Sequence, residues 1–316
     1  MLNFFKFVVS DAFLSFGAAK VEFLSPDEQI NLKVFLEFFK IVLLSPKTSK
    51  NQPFLMNIKL PPALESFRPQ LLQTQRTFIR ATSQAQRKTK LWESKVGGQP
   101  YLPKETTWPT SSDGQALFFL AQINFAELPP LAPFPSKGIV QFFIQADDLY
   151  GMDFDDGENQ DTFRVLFHKE VIENETALQT RSPKQEFEED LLPHHPDECY
   201  PLIFGLGEEV APITDYQFYQ HFGADFFRQF GEKEWDVMGE MEKSVRAQGH
   251  KLGGYAYFTQ DDPRRPEDPM LLLLQLDSDE RMDLMWGDMG VGHFFIREKD
   301  LAALDFSRVL YDWDCL

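Results

Sequence analysis

The sequence predicts an α+β protein made of two similar halves in tandem, with antiparallel or mixed sheets packed together and a helical insert in the second half. Three observations predict it. Apolar runs of strand length recur along residues 77–170 and again along 250–316. Five motifs of the first stretch return in the same order in the second. Between the two, residues 214–248 read as helices, with Thr214 or Asp215 as cap.

The repeat is legible residue by residue. Val96-Gly97-Gly98 with Tyr101 matches Leu252-Gly253-Gly254 with Tyr257. LAQIN (120–124) matches LLQLD (273–277), which sets Gln122 on Gln275. Gly138 with Phe142-Phe143-Ile144 matches Gly290 with Phe294-Phe295-Ile296, and Asp148-Leu149 matches Asp300-Leu301. Arg164-Val165-Leu166-Phe167 matches Arg308-Val309-Leu310-Tyr311. The offsets drift slowly, 156, 153, 152, 152 and 144. Five matches in register argue duplication, and the cleft between such halves is the default place for a ligand.

Taken in order, residues 1–55 fit the rest poorly. Lys6, Asp11 and Lys20 break the apolar opening, so no stretch reaches the length of a membrane span. QINLKVFLEFFKIVLL has helical spacing, and SPKTSKNQP is linker-like. Met56 is expected to be the working start, with residues 1–55 an upstream extension and 56–316 one domain of two repeats. PPALESFRPQLLQTQ (61–75) predicts a short helix that Pro69 kinks or divides. Strands are expected over 77–84, 117–128, 138–148 and 163–170, and KLWESKVGGQPYLP (90–103) is expected to be a strand, a Gly97-Gly98 bend and an extended Pro-bounded segment. Residues 171–249 are expected to connect the repeats through an exposed acidic segment (181–199) and the helices.

Charge narrows the function classes. Net charge is −18 and uneven: residues 1–95 carry 14 Lys+Arg against 7 Asp+Glu, the remainder 17 against 42. An acidic body repels phosphate backbones, so no nucleic-acid partner is expected; no membrane partner is expected either. Cys199 and Cys315 form no CxxC pair, which fits a reducing, cytoplasmic location. No Walker A loop, GxGxxG or GxSxG motif is present.

The segments GGQPYLP, WP, FLAQINFAELP, GIVQFF, YGMDFDD, LGGY, LLLLQLDSD, MWGDMGVGHFFI and DFSRVLYDWDC resemble the YwqG-like family, a bacterial family of unknown function. The resemblance spans about residues 56–316. It implies a complex α+β fold with a tandem repeat and a start near MNIKLPP, and it carries over no catalytic residue. Some members are encoded near secreted-toxin operons, which implies an immunity-type role by association only.

The candidate ligand-binding residues are Gln122, Gln275, Asp277, Asp279, Trp286 and Asp288; no catalytic residue, metal ligand or cofactor is expected. Gln122 and Gln275 end apolar strands, where a buried amide must find partners, either backbone at the junction of the halves or a ligand. Asp277, Asp279, Glu280 and Asp283 cluster at a strand end, either as a solvated turn or as a carboxylate site. Trp286 is a pocket wall or core. The acidic run from Asp147 to Asp161 has no EF-hand spacing, and His194, His195, Asp197 and Cys199 match no zinc spacing. His293 falls in a β pattern and reads as structural. Arg164 and Arg308 are expected to pair with acidic residues of the opposite half. The leading expectation is a binding protein acting on a protein partner through its acidic face or the inter-repeat cleft. The alternative is a metal-dependent hydrolase or small-molecule enzyme using Asp277, Asp279 and Asp288.

Overall fold

A computed structural model describes residues 58–179, 187–188 and 191–316. The expectations for residues 1–55, including the start at Met56, lie outside the described residues, as does part of the acidic segment 181–199.

Among the described residues, ten strands form one antiparallel sheet. They are β1 (Arg76–Ser83), β2 (Lys95–Gly97), β3 (Phe118–Asn124), β4 (Ile139–Ile144), β5 (Phe163–His168), β6 (Cys199–Glu209), β7 (Lys251–Gly253), β8 (Leu271–Asp277), β9 (Val291–Ile296) and β10 (Leu310–Asp314). The spatial order is β10-β9-β8-β7-β1-β6-β2-β3-β4-β5. The expected pair of packed sheets is therefore a single sheet that curls, and every pairing is antiparallel.

The order explains the curl. Strands β2 to β5 form one four-stranded wing and β7 to β10 the other, and the β1–β6 pair joins them. β1 pairs with β7 of the far wing, and β6 pairs with β2. Both wings bend onto one core. Phe142 of β4 meets Phe294 of β9 with ring centroids 4.5 Å apart, and Phe163 meets Tyr311 at 5.1 Å. Burial on both faces is why β3 (FFLAQIN) and β8 (LLLLQLD) read as near-continuous apolar runs rather than alternating ones. The same one-residue bulge breaks both, between Phe119 and Ala121 in β3 and between Leu272 and Leu274 in β8.

β6 lies in the stretch expected to be a connection, yet it is an eleven-residue strand paired along all of β1. Pro201, Gly205 and Gly207 hide it, since both residue types weaken a strand reading. The N-terminal helix divides as expected: a 3-10 turn, Pro62–Phe67, precedes the helix Arg68–Gln73 with Pro69 in its first turn. Helices span Tyr216–Phe222 and Glu234–Ser244, with a 3-10 stretch Phe226–Lys233 between them. Asp215 is the cap of the first, accepting from Gln217 N at 3.0 Å. These helices and Arg68–Gln73 close a second core around Leu71, Phe218 and Met241, apart from the core between the wings.

Candidate ligand-binding cleft

β5 and β10 are the two edges of the curled sheet, and they do not pair with each other. The segment 157–160 bridges them. Tyr311 N, on the outer side of β10, donates to Gly157 O at 2.9 Å. The Gln160 side chain accepts from Val165 N of β5 at 2.8 Å and donates to Phe306 O at 2.7 Å. Beside this bridge an open cleft of about 460 Å³ runs between β5 and the segment that leads into β10, lined by Gln160, Arg164–Phe167 and Leu304–Ser307. Phe167 and Phe306 stack at 4.8 Å and give it an apolar aromatic wall. Arg164 sits at its side, donating to Gln160 O at 2.9 Å and weakly to Thr110 O at 3.4 Å. No carboxylate among the described residues pairs with it.

The arginine expectation is corrected here. Arg308 pairs with Asp300 of its own half, at 2.8 Å to each carboxylate oxygen. The arginine that crosses the halves is Arg297, bidentate to Glu158 at 2.8 and 2.7 Å and also paired with Asp268. Those carboxylates raise its already high pKa further.

Gln122 and Gln275 lie away from the cleft, each fully buried. Gln122 Nε2 donates to Leu91 O (2.7 Å) and Glu93 O (2.8 Å); its Oε1 accepts from Tyr101 N (2.8 Å) and Gln141 Nε2 (3.0 Å). Gln275 repeats the pattern, donating to Ala247 O (2.9 Å) and Gly249 O (2.8 Å) and accepting from Tyr257 N (3.0 Å). Each amide staples the segment before β2 or β7 to the extended segment after it, which uses up its capacity internally. Gln141 and His293 complete the clamp, donating to Tyr101 O and Tyr257 O at 2.7 Å each. Burial pushes His293 down to about 3, so it stays neutral with Nε2 as the donor.

The acidic turn does not converge. Asp277 accepts from Gly249 N at 2.7 Å, and burial raises its pKa. Asp279 caps the 3-10 turn Glu280–Met282 and binds Arg281 at 3.0 and 2.8 Å. Its pairing with His250 at 3.2 Å, together with Arg281, holds its carboxyl well below the usual carboxylate range. His250 Nδ1 accepts from Asp277 N at 3.1 Å, so both ring nitrogens are occupied. Asp288 is exposed, and its carbonyl accepts from Leu316 N at 3.1 Å. Among the described residues no three His, Cys, Asp or Glu side chains are grouped to hold a metal ion. A smaller, more enclosed hollow of about 270 Å³ lies beside Asp279, rimmed by Met285 and Met289.

Trp286 is core. It is fully buried against Tyr150 (5.7 Å) and Trp313 (6.2 Å), with Gly292 beneath the ring. In the acidic loop, Asp147 accepts from Leu149 N and Gly151 N and Asp153 from Asp155 N and Asp156 N, while Asp161 reaches back to accept from Ser112 N. His194 is buried with its ring nitrogens on the carbonyls of His195 and Leu120.

Two buried lysines escaped the sequence reading. Lys95 and Lys251 stand two residues before the matched Gly-Gly bends and are both fully buried. Lys251 donates to Glu209 at 3.0 and 2.8 Å. Lys95 has only neutral partners, Thr89 Oγ1 and the carbonyls of Lys90 and Leu91, and burial lowers it to about 8. The signal was present in the sequence as Lys-Val-Gly-Gly against Lys-Leu-Gly-Gly.

No curated protein sequence matches the chain. No helix of the described residues is long and apolar enough to cross a membrane. The sequence profile of one family matches residues 94–315, from Ser94 just before β2 to Cys315 just after β10, and so takes in the strands of both wings and the residues that line the cleft. The chain belongs to that family, which is described as a domain of unknown function (DUF1963).

Proposed function

We propose that the chain is a binding protein that takes its ligand in the cleft between the β5 edge and the segment that leads into β10. The carrying observation is the cleft itself: about 460 Å³, at the junction of the halves, with an aromatic wall and an arginine that has no carboxylate partner among the described residues. Sites of this kind combine apolar lining with a few oriented polar groups. We also propose that the frame arose by tandem duplication of a five-strand unit, with β1 to β5 equivalent to β6 to β10. The matched glutamine staples, the matched bulges and the symmetric strand order support that reading. Within its family we place the chain in the YwqG-like group, as a cytoplasmic protein with a protein partner.

The test is capture from a native extract by the wild-type chain and by Ser307→Trp, which fills the cleft from its exposed rim. The expected result is a partner held by the wild type and lost by the variant. A partner held equally by both, or none held by either, overturns the cleft reading.

A further inference from the structure

We infer that the occupant of the cleft is an extended peptide that adds as a strand along the free edge of β5, with a carboxylate of that peptide on Arg164. The inference rests on the cleft reading and names its ligand class. It starts from the direction of the β5 backbone. Thr162 O accepts from Gln145 N, and the even-numbered residues of β5 continue that ladder toward β4. The N–H and C=O groups of Phe163, Val165 and Phe167 therefore point away from β4, into the gap. Val165 N confirms the phase, because it bonds outward to Gln160 Oε1.

The Gln160 carboxamide stands where a peptide unit of a neighbouring strand would stand. It accepts from one edge, at Val165 N, and donates to the opposite wall, at Phe306 O. An amide of the same polarity and spacing is what an added strand presents to a sheet edge. The side chain supplies one such unit and stops. The next outward donor, Phe167 N, has no acceptor among the described residues, and Phe167 lines the cleft. A buried or half-buried edge N–H without a partner carries a cost that a ligand main chain removes. Four residues of β5 line the cleft, a length of about 13 Å in extended chain.

The side-chain chemistry selects within peptides. Arg164 keeps donors free beyond its two backbone carbonyls and has no carboxylate partner among the described residues, in a chain of net charge −18. A peptide carboxylate forms a charge-assisted pair there. The stacked Phe167 and Phe306 rings take an apolar side chain.

The experiment selects linear dodecapeptides from a phage-displayed library on the intact chain. The best peptide is then synthesised with single backbone N-methylations along its length. Fluorescence polarisation reads affinity, and hydrogen exchange reads the Phe167 amide. The expected result is a loss of at least about tenfold at alternate residues, the worth of one main-chain hydrogen bond, with small changes between them. Phe167 exchange slows on binding, and Arg164→Gln weakens acidic peptides but not their amidated forms. Binding that protects residues 160–168 and 304–307 without the alternation overturns the strand inference and leaves the cleft reading standing. Binding that protects only other residues overturns both. Failure to select any peptide, or a chain dimer lost on Phe167→Pro, overturns the peptide as occupant.

Discussion

Replacing Gln122 by Leu removes a staple without changing the side chain's bulk much, and its cost can be worked from the partners left behind. The carbonyls of Leu91 and Glu93, the Tyr101 N–H and the Gln141 amide each lose a bond of 2.7 to 3.0 Å. The site is fully buried, so water does not replace them. At about 1 kcal/mol for each bond, the loss is about 4 kcal/mol. Gln275→Leu breaks three such bonds and should cost about 3 kcal/mol. The two sites share no partner, so the double variant should lose nearly the sum. Urea unfolding followed by far-UV circular dichroism and tryptophan fluorescence measures this, provided the two transitions coincide. A loss under about 1 kcal/mol for either single variant would refute the argument that these amides hold the frame together.

Lys251→Met should cost about 3–5 kcal/mol, because it leaves Glu209 charged and buried with only Tyr255 N to bind it; adding Glu209→Gln should recover most of that in the same urea assay. Burial, with Asp314 and Asp262 nearby, raises Asp312 to about 7 from 3.8, so the folded state holds a proton that the unfolded chain releases. Stability should therefore fall as pH rises from about 4 to 7, by at most about 4 kcal/mol, and Asp312→Asn should remove that fall in urea midpoints measured across the range. Lys95, lowered to about 8 from 10.5, gives the opposite slope: stability should rise between those values as the unfolded chain also loses its proton, and Lys95→Met should abolish the rise. Gly292→Ala sets a methyl 2.4 Å from the Trp286 ring and should cost about 1–3 kcal/mol, with a shift in tryptophan emission.

Much of this frame was legible in the sequence. The strands β3, β4, β8 and β9 announce themselves as apolar runs, and the slow drift of the repeat offsets sets Gln122 on Gln275. The strand exchange at the centre was not legible. Which wing β1 joins depends on pairing between residues far apart in sequence, and β6 is masked by Pro201, Gly205 and Gly207. The acidic turn drew attention because carboxylates are conspicuous in a sequence, but Asp277 and Asp279 are spent on turn amides, Arg281 and His250. The cleft drew none, apart from Arg164. Gln160, Phe167 and Phe306 become neighbours only when the two edges of the sheet curl toward each other, and no local pattern marks that.

Hydrogen exchange of the chain with and without the partner retained from native extract tests the central claim most directly. Slower exchange confined to residues 160–168 and 304–309 is the predicted result. Protection confined to residues 278–289, beside the Asp279 hollow, or no protection in either region, would contradict it.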